Sequence, residues 1–140
     1  MSVGIPSSLF ASDPVPFVPR RFSVEEYRRM AELGLLTEED RVELLEGVIT
    51  PKMVHNPPHD VSISLLEKAM RSLLPGDWFM RVHSAVSTPD SEPEPDIAIV
   101  RGNPRDYKLG HPGPADIGLV VEVADSSLAP NPEWWGENNF

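Results

Sequence analysis

The sequence predicts an α+β domain with α/β-like features, and three observations predict it. Two runs, Ile97-Ala98-Ile99-Val100 and Ile117-Gly118-Leu119-Val120-Val121, are rich in Ile and Val and bounded by turn residues, as buried strands are. Two other stretches, opening at Ser23 and Asp60, carry apolar residues at helical spacing. At 140 residues and 15.5 kDa the chain suits one domain, with a core large enough for a sheet and covering helices.

Composition narrows the function classes. Sixteen prolines belong mainly in loops and tails and leave room for few long helices. The absence of cysteine excludes disulfides, thiolate metal sites and cysteine nucleophiles, and agrees with a reducing, cytoplasmic setting. No apolar run approaches the ~20 residues that span a bilayer, and the N-terminus lacks a secretory pattern, so no membrane partner is expected. A net charge of −10 and a pI near 4.7 count against a simple DNA-binding module, which would present a basic face. They do not count against a metal-dependent nuclease, whose site is acidic before the ion arrives.

Residues 1–20 contain four prolines and no sustained period, which predicts a flexible arm; Phe10 and Phe17 are the residues through which it would dock. From Ser23 the spacing Ser23…Glu26 gives a capping box and Gly34 a stop, so a short helix lies between them, with Val24, Tyr27 and Met30 on its apolar side. Arg41 to Thr50 reads as a hairpin turning at Glu46-Gly47, with a helix over Asp40 to Glu46 as the rival. Glu43 is accordingly open between a solvated acid and a member of a metal site.

His55-Asn56-Pro57-Pro58-His59 reads as a loop leading into a helix from Asp60 to Leu74 that ends at Pro75-Gly76. The two histidines are four apart but straddle two prolines, so they are not expected to form a zinc pair on one helical face. His59 is read as a capping residue or part of a site's rim. Trp78 to Val86 reads as a strand, and the Asp96 strand follows. The connection from Arg101 to Pro114 is rich in Gly and Pro and reads as a long surface loop, whose Arg101, Arg105 and Lys108 are open between phosphate contact and, the favoured reading, plain solvation. Beyond Asp125 the prolines break any period, and Trp134-Trp135 would pack on the sheet or form an exposed, sticky end.

Chemistry concentrates on Asp96 and Glu122, each set against a hydrophobic strand. A carboxylate so placed costs several kcal/mol if it is charged and unpaired, and a divalent cation is one partner that relieves the cost. Neighbouring strands that deliver an Asp and a Glu to one sheet edge suit Mg²⁺ or Mn²⁺, which take oxygen ligands, activate a water and stabilise charge on a phosphate. A glycosidase would use the same residue types but needs a larger cleft. The spacing alone leaves the metal reading level with two water-exposed acids at strand ends.

Four pieces, Arg41-Val-Glu-Leu-Leu-Glu-Gly-Val-Ile49, Asn56-Pro-Pro-His59, Ser91-Glu-Pro-Glu-Pro-Asp-Ile-Ala-Ile-Val-Arg-Gly102 and Gly118-Leu-Val-Val-Glu-Val-Ala-Asp-Ser-Ser-Leu128, are similar in order and spacing to the Uma-two family of restriction-endonuclease-like proteins. That family resembles the PD-(D/E)XK nucleases at large. The resemblance spans about Phe22 to Leu128 and implies a mixed central sheet flanked by helices. It also implies a metal held by Asp96 and Glu122, an auxiliary role for Glu43, and DNA as substrate.

One departure weakens the implied activity. Superfamily members place a lysine two residues after the strand Glu, where this chain has Ala124, or on a helix further on, and no Lys or Arg follows Lys108. Lys68 and Lys108 are poor substitutes by position. Three segments are therefore expected: an arm at 1–20, a restriction-endonuclease-like domain at 21–128 incomplete at its C-terminus, and a divergent tail at 129–140. An uncovered sheet face would favour a homodimer. Two functions remain: a metal-dependent DNA endonuclease impaired by the absent lysine, or a non-catalytic remnant acting through binding or oligomerisation.

Overall fold

The computed structural model describes residues 18–124. The arm up to residue 17 and the tail from 129 onward, with the contacts considered for Phe10, Phe17, Trp134 and Trp135, lie outside the described residues.

Helix α1 (Val24–Glu32) forms where the capping box foretells it. The Ser23 hydroxyl accepts from the Glu26 N–H at 3.1 Å, and the Glu26 carboxylate accepts from the Ser23 N–H at 2.9 Å. Val24 is buried, and the Tyr27 hydroxyl donates to the Val42 carbonyl at 3.1 Å, which ties the helix to the next element.

That element is a hairpin of β1 (Val42–Leu45) and β2 (Val48–Pro51), paired Leu45 to Val48. Glu46 and Gly47 have φ of 47° and 78°, the left-handed pair that a two-residue turn matching strand twist requires. This turn decides against the helical rival.

Helix α2 (Pro57–Arg71) begins earlier than the sequence reading placed it. Asn56 caps it, and both prolines sit in its first turn, where their missing N–H groups would have had no helical partner. His59 therefore lies on the helix rather than in the loop before it, and its N–H donates to Asn56 Oδ1 at 3.0 Å.

Strand β3 (Trp78–Val82) is shorter than the expected run to Val86, because His83 takes a left-handed φ of 46°. With β4 (Ile97–Arg101) and β5 (Ile117–Val121) it makes a three-stranded sheet of order β3-β4-β5. Both sheets are antiparallel, so the architecture is α+β.

Alternation along β4 divides the core. Ile97 and Ile99 pack with Ile63, Leu66 and Met70 of α2, while Ala98 and Val100 pack on the opposite side with Val86, Ile117, Phe79 and Tyr107. Leu44 bridges to Glu92, its carbonyl accepting from the Glu92 N–H at 2.8 Å. The hairpin thus abuts the segment that runs into β4. Among the described residues no helix is long and apolar enough to cross a membrane.

Candidate metal centre

Asp96 owes its position to the residues before it. In Glu92-Pro93-Glu94-Pro95 each glutamate precedes a proline, which disfavours helical backbone and keeps the segment extended. Pro93 and Pro95 are themselves fully buried. Asp96 then immediately precedes β4, with only 4% of its surface exposed.

Across the sheet Ile97 pairs with Val121, so the next step outward brings Asp96 beside Glu122. The Asp96 N–H points at Glu122 Oε2 at 3.4 Å, and the Val123 N–H donates to Asp96 Oδ2 at 2.8 Å. One Asp96 oxygen is thereby fixed by backbone. The other, Oδ1, faces three imidazoles.

His59 Nε2 lies 2.9 Å from Asp96 Oδ1, His83 Nε2 3.4 Å and His55 Nε2 3.7 Å. The ring of His55 stacks on His59 with centroids 4.4 Å apart and tilts toward His83 at 4.5 Å. One ligand atom from each of the four residues falls within 4.8 Å of the others, so this His–Asp group can hold a metal ion.

Each histidine arrives by a different route. His59 rides on the first turn of α2, and His55 comes from the stretch between β2 and that helix. His83 stands at the end of β3, where its N–H bonds the Asp96 carbonyl at 3.1 Å and its left-handed backbone breaks the strand.

The electrostatics match a cation site. Partial burial, with the neighbouring His83 and His59 charges next, lowers the His55 pKa and favours the neutral imidazole that binds metals. Burial of its carboxyl and then the charge of Asp96 push Glu122 up to about 8. Glu122 as a residue is exposed whereas Asp96 is buried, so solvent moderates that shift.

Glu43, on β1, belongs to the same neighbourhood: its charge is among those that raise Glu122. Its carboxylate accepts from the Glu94 N–H at 3.0 Å, and burial raises its own pKa. It is not part of the four-residue His–Asp group. Thr50 is its cross-strand partner, and the Thr50 hydroxyl is buried with no hydrogen-bond partner among the described residues. Lys52 closes this side, with Nζ 2.6 Å from Glu94 Oε1, and its charge acts on Glu43 to lower its pKa.

A model of the Uma2 family, described as "Putative restriction endonuclease", matches residues 24–133. The chain belongs to the Uma2 family. No curated protein and no solved structure matches it.

Of the residues singled out in the sequence, this Uma2 chain brings Asp96 and Glu122 into contact and sets Glu43 close enough for its charge to be felt at Glu122. The sequence reading expected no zinc pair from His55 and His59 on one helical face; it did not foresee that their rings stack. It assumed that both prolines lay outside the helix, whereas the helix starts at Pro57 and the residues before it fold back over its first turn. His83 and Lys52 were missed altogether. His83 was read as one position in a continuous strand, and Lys52 lies 42 residues from the Glu94 it meets.

Proposed function

We propose that the chain hydrolyses DNA phosphodiester bonds with the help of a divalent ion, Mg²⁺ or Mn²⁺, held by Asp96 and Glu122 with Glu43 assisting. The observation that carries this reading is the β4–β5 register, which sets the buried Asp96 beside the more exposed Glu122 at one sheet end. The Uma2 description supports nuclease chemistry and DNA as the partner.

The ion, when bound, supplies electrostatic stabilisation of the charge that builds on a phosphate. The chain's own residues do the rest. Asp96, anchored through Val123, would hold the ion through its other oxygen. Glu122, with its raised pKa, can exchange a proton with water near neutral pH. Glu43 adds negative charge, and Lys52 offsets part of it.

The test is cleavage of plasmid DNA in Mn²⁺ by the unmodified chain and by Asp96→Asn. The expected result is cleavage that the substitution abolishes; cleavage that survives it overturns the assignment.

A second reading rests on Ala124, which stands where the superfamily carries its lysine. Losing such a charge-stabilising donor costs on the order of 10²–10³ in rate. On this reading the chain binds metal and DNA without turnover. Undiminished metal binding with no cleavage under any ion condition would favour it over the first.

A further inference from the structure

We propose that the ion at Asp96 is also bound by the imidazoles of His55, His59 and His83, so that the site selects an ion of the Mn²⁺, Co²⁺ and Zn²⁺ class over Mg²⁺. The inference deepens the proposed function and rests on its reading of Asp96 as a metal ligand.

Hydrogen-bond arithmetic is the first argument. Asp96 Oδ1 has two lone pairs, yet three Nε2 atoms converge on it at 2.9, 3.4 and 3.7 Å. Only the shortest of these is a good hydrogen bond. Three imidazolium ions packed ring against ring would repel one another, and neutral imidazoles cannot all donate to one oxygen. A cation among the four atoms takes one lone pair from each and needs no proton shared among them.

Geometry is the second argument. Two donors bound at ~2.1 Å to one ion stand about 3.4 Å apart at a tetrahedral angle. The separations from Asp96 Oδ1 scatter around that value, and all four atoms fit within 4.8 Å. Small rotations of the rings would complete the site.

The surroundings hold the donors in place, as supporting groups do in metal sites. The Val123 N–H occupies Asp96 Oδ2 and leaves Oδ1 for the ion. Asp60 Oδ1 stands 3.9 Å behind His55 Nδ1, on the far side of the ring from Asp96. The cap from Asn56 fixes the backbone of His59.

Donor chemistry decides the class of ion. Mg²⁺ prefers oxygen and sheds water reluctantly, whereas Mn²⁺, Co²⁺ and Zn²⁺ accept imidazole nitrogen, with affinity rising toward the later metals. A purely carboxylate site would not need three histidines. Glu122, hydrogen-bonded to the Asp96 backbone, remains beside the ion as an oxygen donor or proton acceptor.

The experiment uses the full chain without a histidine tag. Co²⁺ is titrated while its visible absorption is recorded, and the unfolding midpoint is measured with Co²⁺, Mn²⁺ and Mg²⁺. Variants are His83→Asn, His55→Ala and Asp96→Asn; asparagine at 83 tolerates the left-handed backbone there. The expected result is Co²⁺ absorption typical of nitrogen ligation and a midpoint raised more by Co²⁺ and Mn²⁺ than by Mg²⁺. Each histidine variant should weaken Co²⁺ binding at least tenfold.

Ion binding lost in Asp96→Asn but unchanged in both histidine variants overturns this inference and leaves the carboxylate site standing. No ion-dependent change in absorption or midpoint in the unmodified chain overturns both.

Discussion

Asp96 is held by more groups than any neighbouring acid: a backbone donor on one oxygen, three imidazoles around the other, and Glu122 against its N–H. In the metal-free chain that crowding carries a pH dependence. The folded pKa of Glu122 lies near 8, above its ordinary 4.5, so between those values the folded chain binds more protons than the unfolded one. Stability therefore falls as pH rises through that window. The lowered pKa of His55 acts oppositely below its ordinary 6.5, so the fall should be clearest above that point. In EDTA, the unmodified chain should lose midpoint temperature from pH 6.5 to 8, and Glu122→Gln should lose less. Equal slopes in the two proteins would contradict the raised pKa.

At the scale of elements, the first turn of α2 serves both helix and site. Asn56 is its cap, and the residue it caps through is His59. Asn56→Ala should cost about 1 kcal/mol, measured from the urea midpoint, and should weaken metal binding by freeing the His59 backbone. The hairpin turn is comparably exacting. A Cβ on Gly47 would stand 2.9 Å from Arg21 Cβ and 3.0 Å from the Phe22 carbonyl, on a backbone with φ of 78°. Gly47→Ala should therefore destabilise the chain by more than the ~1 kcal/mol that a left-handed conformation alone costs a non-glycine residue. A change below half that value would show that the segment before α1 yields easily.

At the scale of the whole molecule, an ion pair joins the N-terminal helix to the segment that delivers Asp96. Arg28 Nε donates to Glu92 Oε1 at 2.6 Å and its Nη2 to the Ser87 hydroxyl at 3.0 Å, while Glu92 is 5% exposed. The pair also bonds through the second guanidinium nitrogen. Truncating Arg28 would leave a buried carboxylate unpaired. Arg28→Ala should cost on the order of 3 kcal/mol in denaturant midpoint analysis. Replacing both partners together, as Arg28→Met with Glu92→Gln, should cost less than the single change, because no unpaired charge remains. If the double variant is the less stable, the pair is a net source of stability and not merely a matched burden.

Local signals determined most of the elements. The Ser23…Glu26 box, the Glu46-Gly47 turn and the Ile–Val runs each act within a few residues, so the first helix, the hairpin and strands β4 and β5 were readable from the chain itself. The apolar strands that follow Asp96 and lead into Glu122 likewise marked two acids for one sheet edge. Tertiary structure alone decided what surrounds them. His55, His59 and His83 meet because a helix start, the segment before it and a broken strand end converge on β4. Lys52 reaches the acids only because the hairpin docks on residues 92–94. Sequence spacing encodes contacts along one element, whereas contacts between elements depend on how the core packs, and the His–Asp group is assembled from the latter.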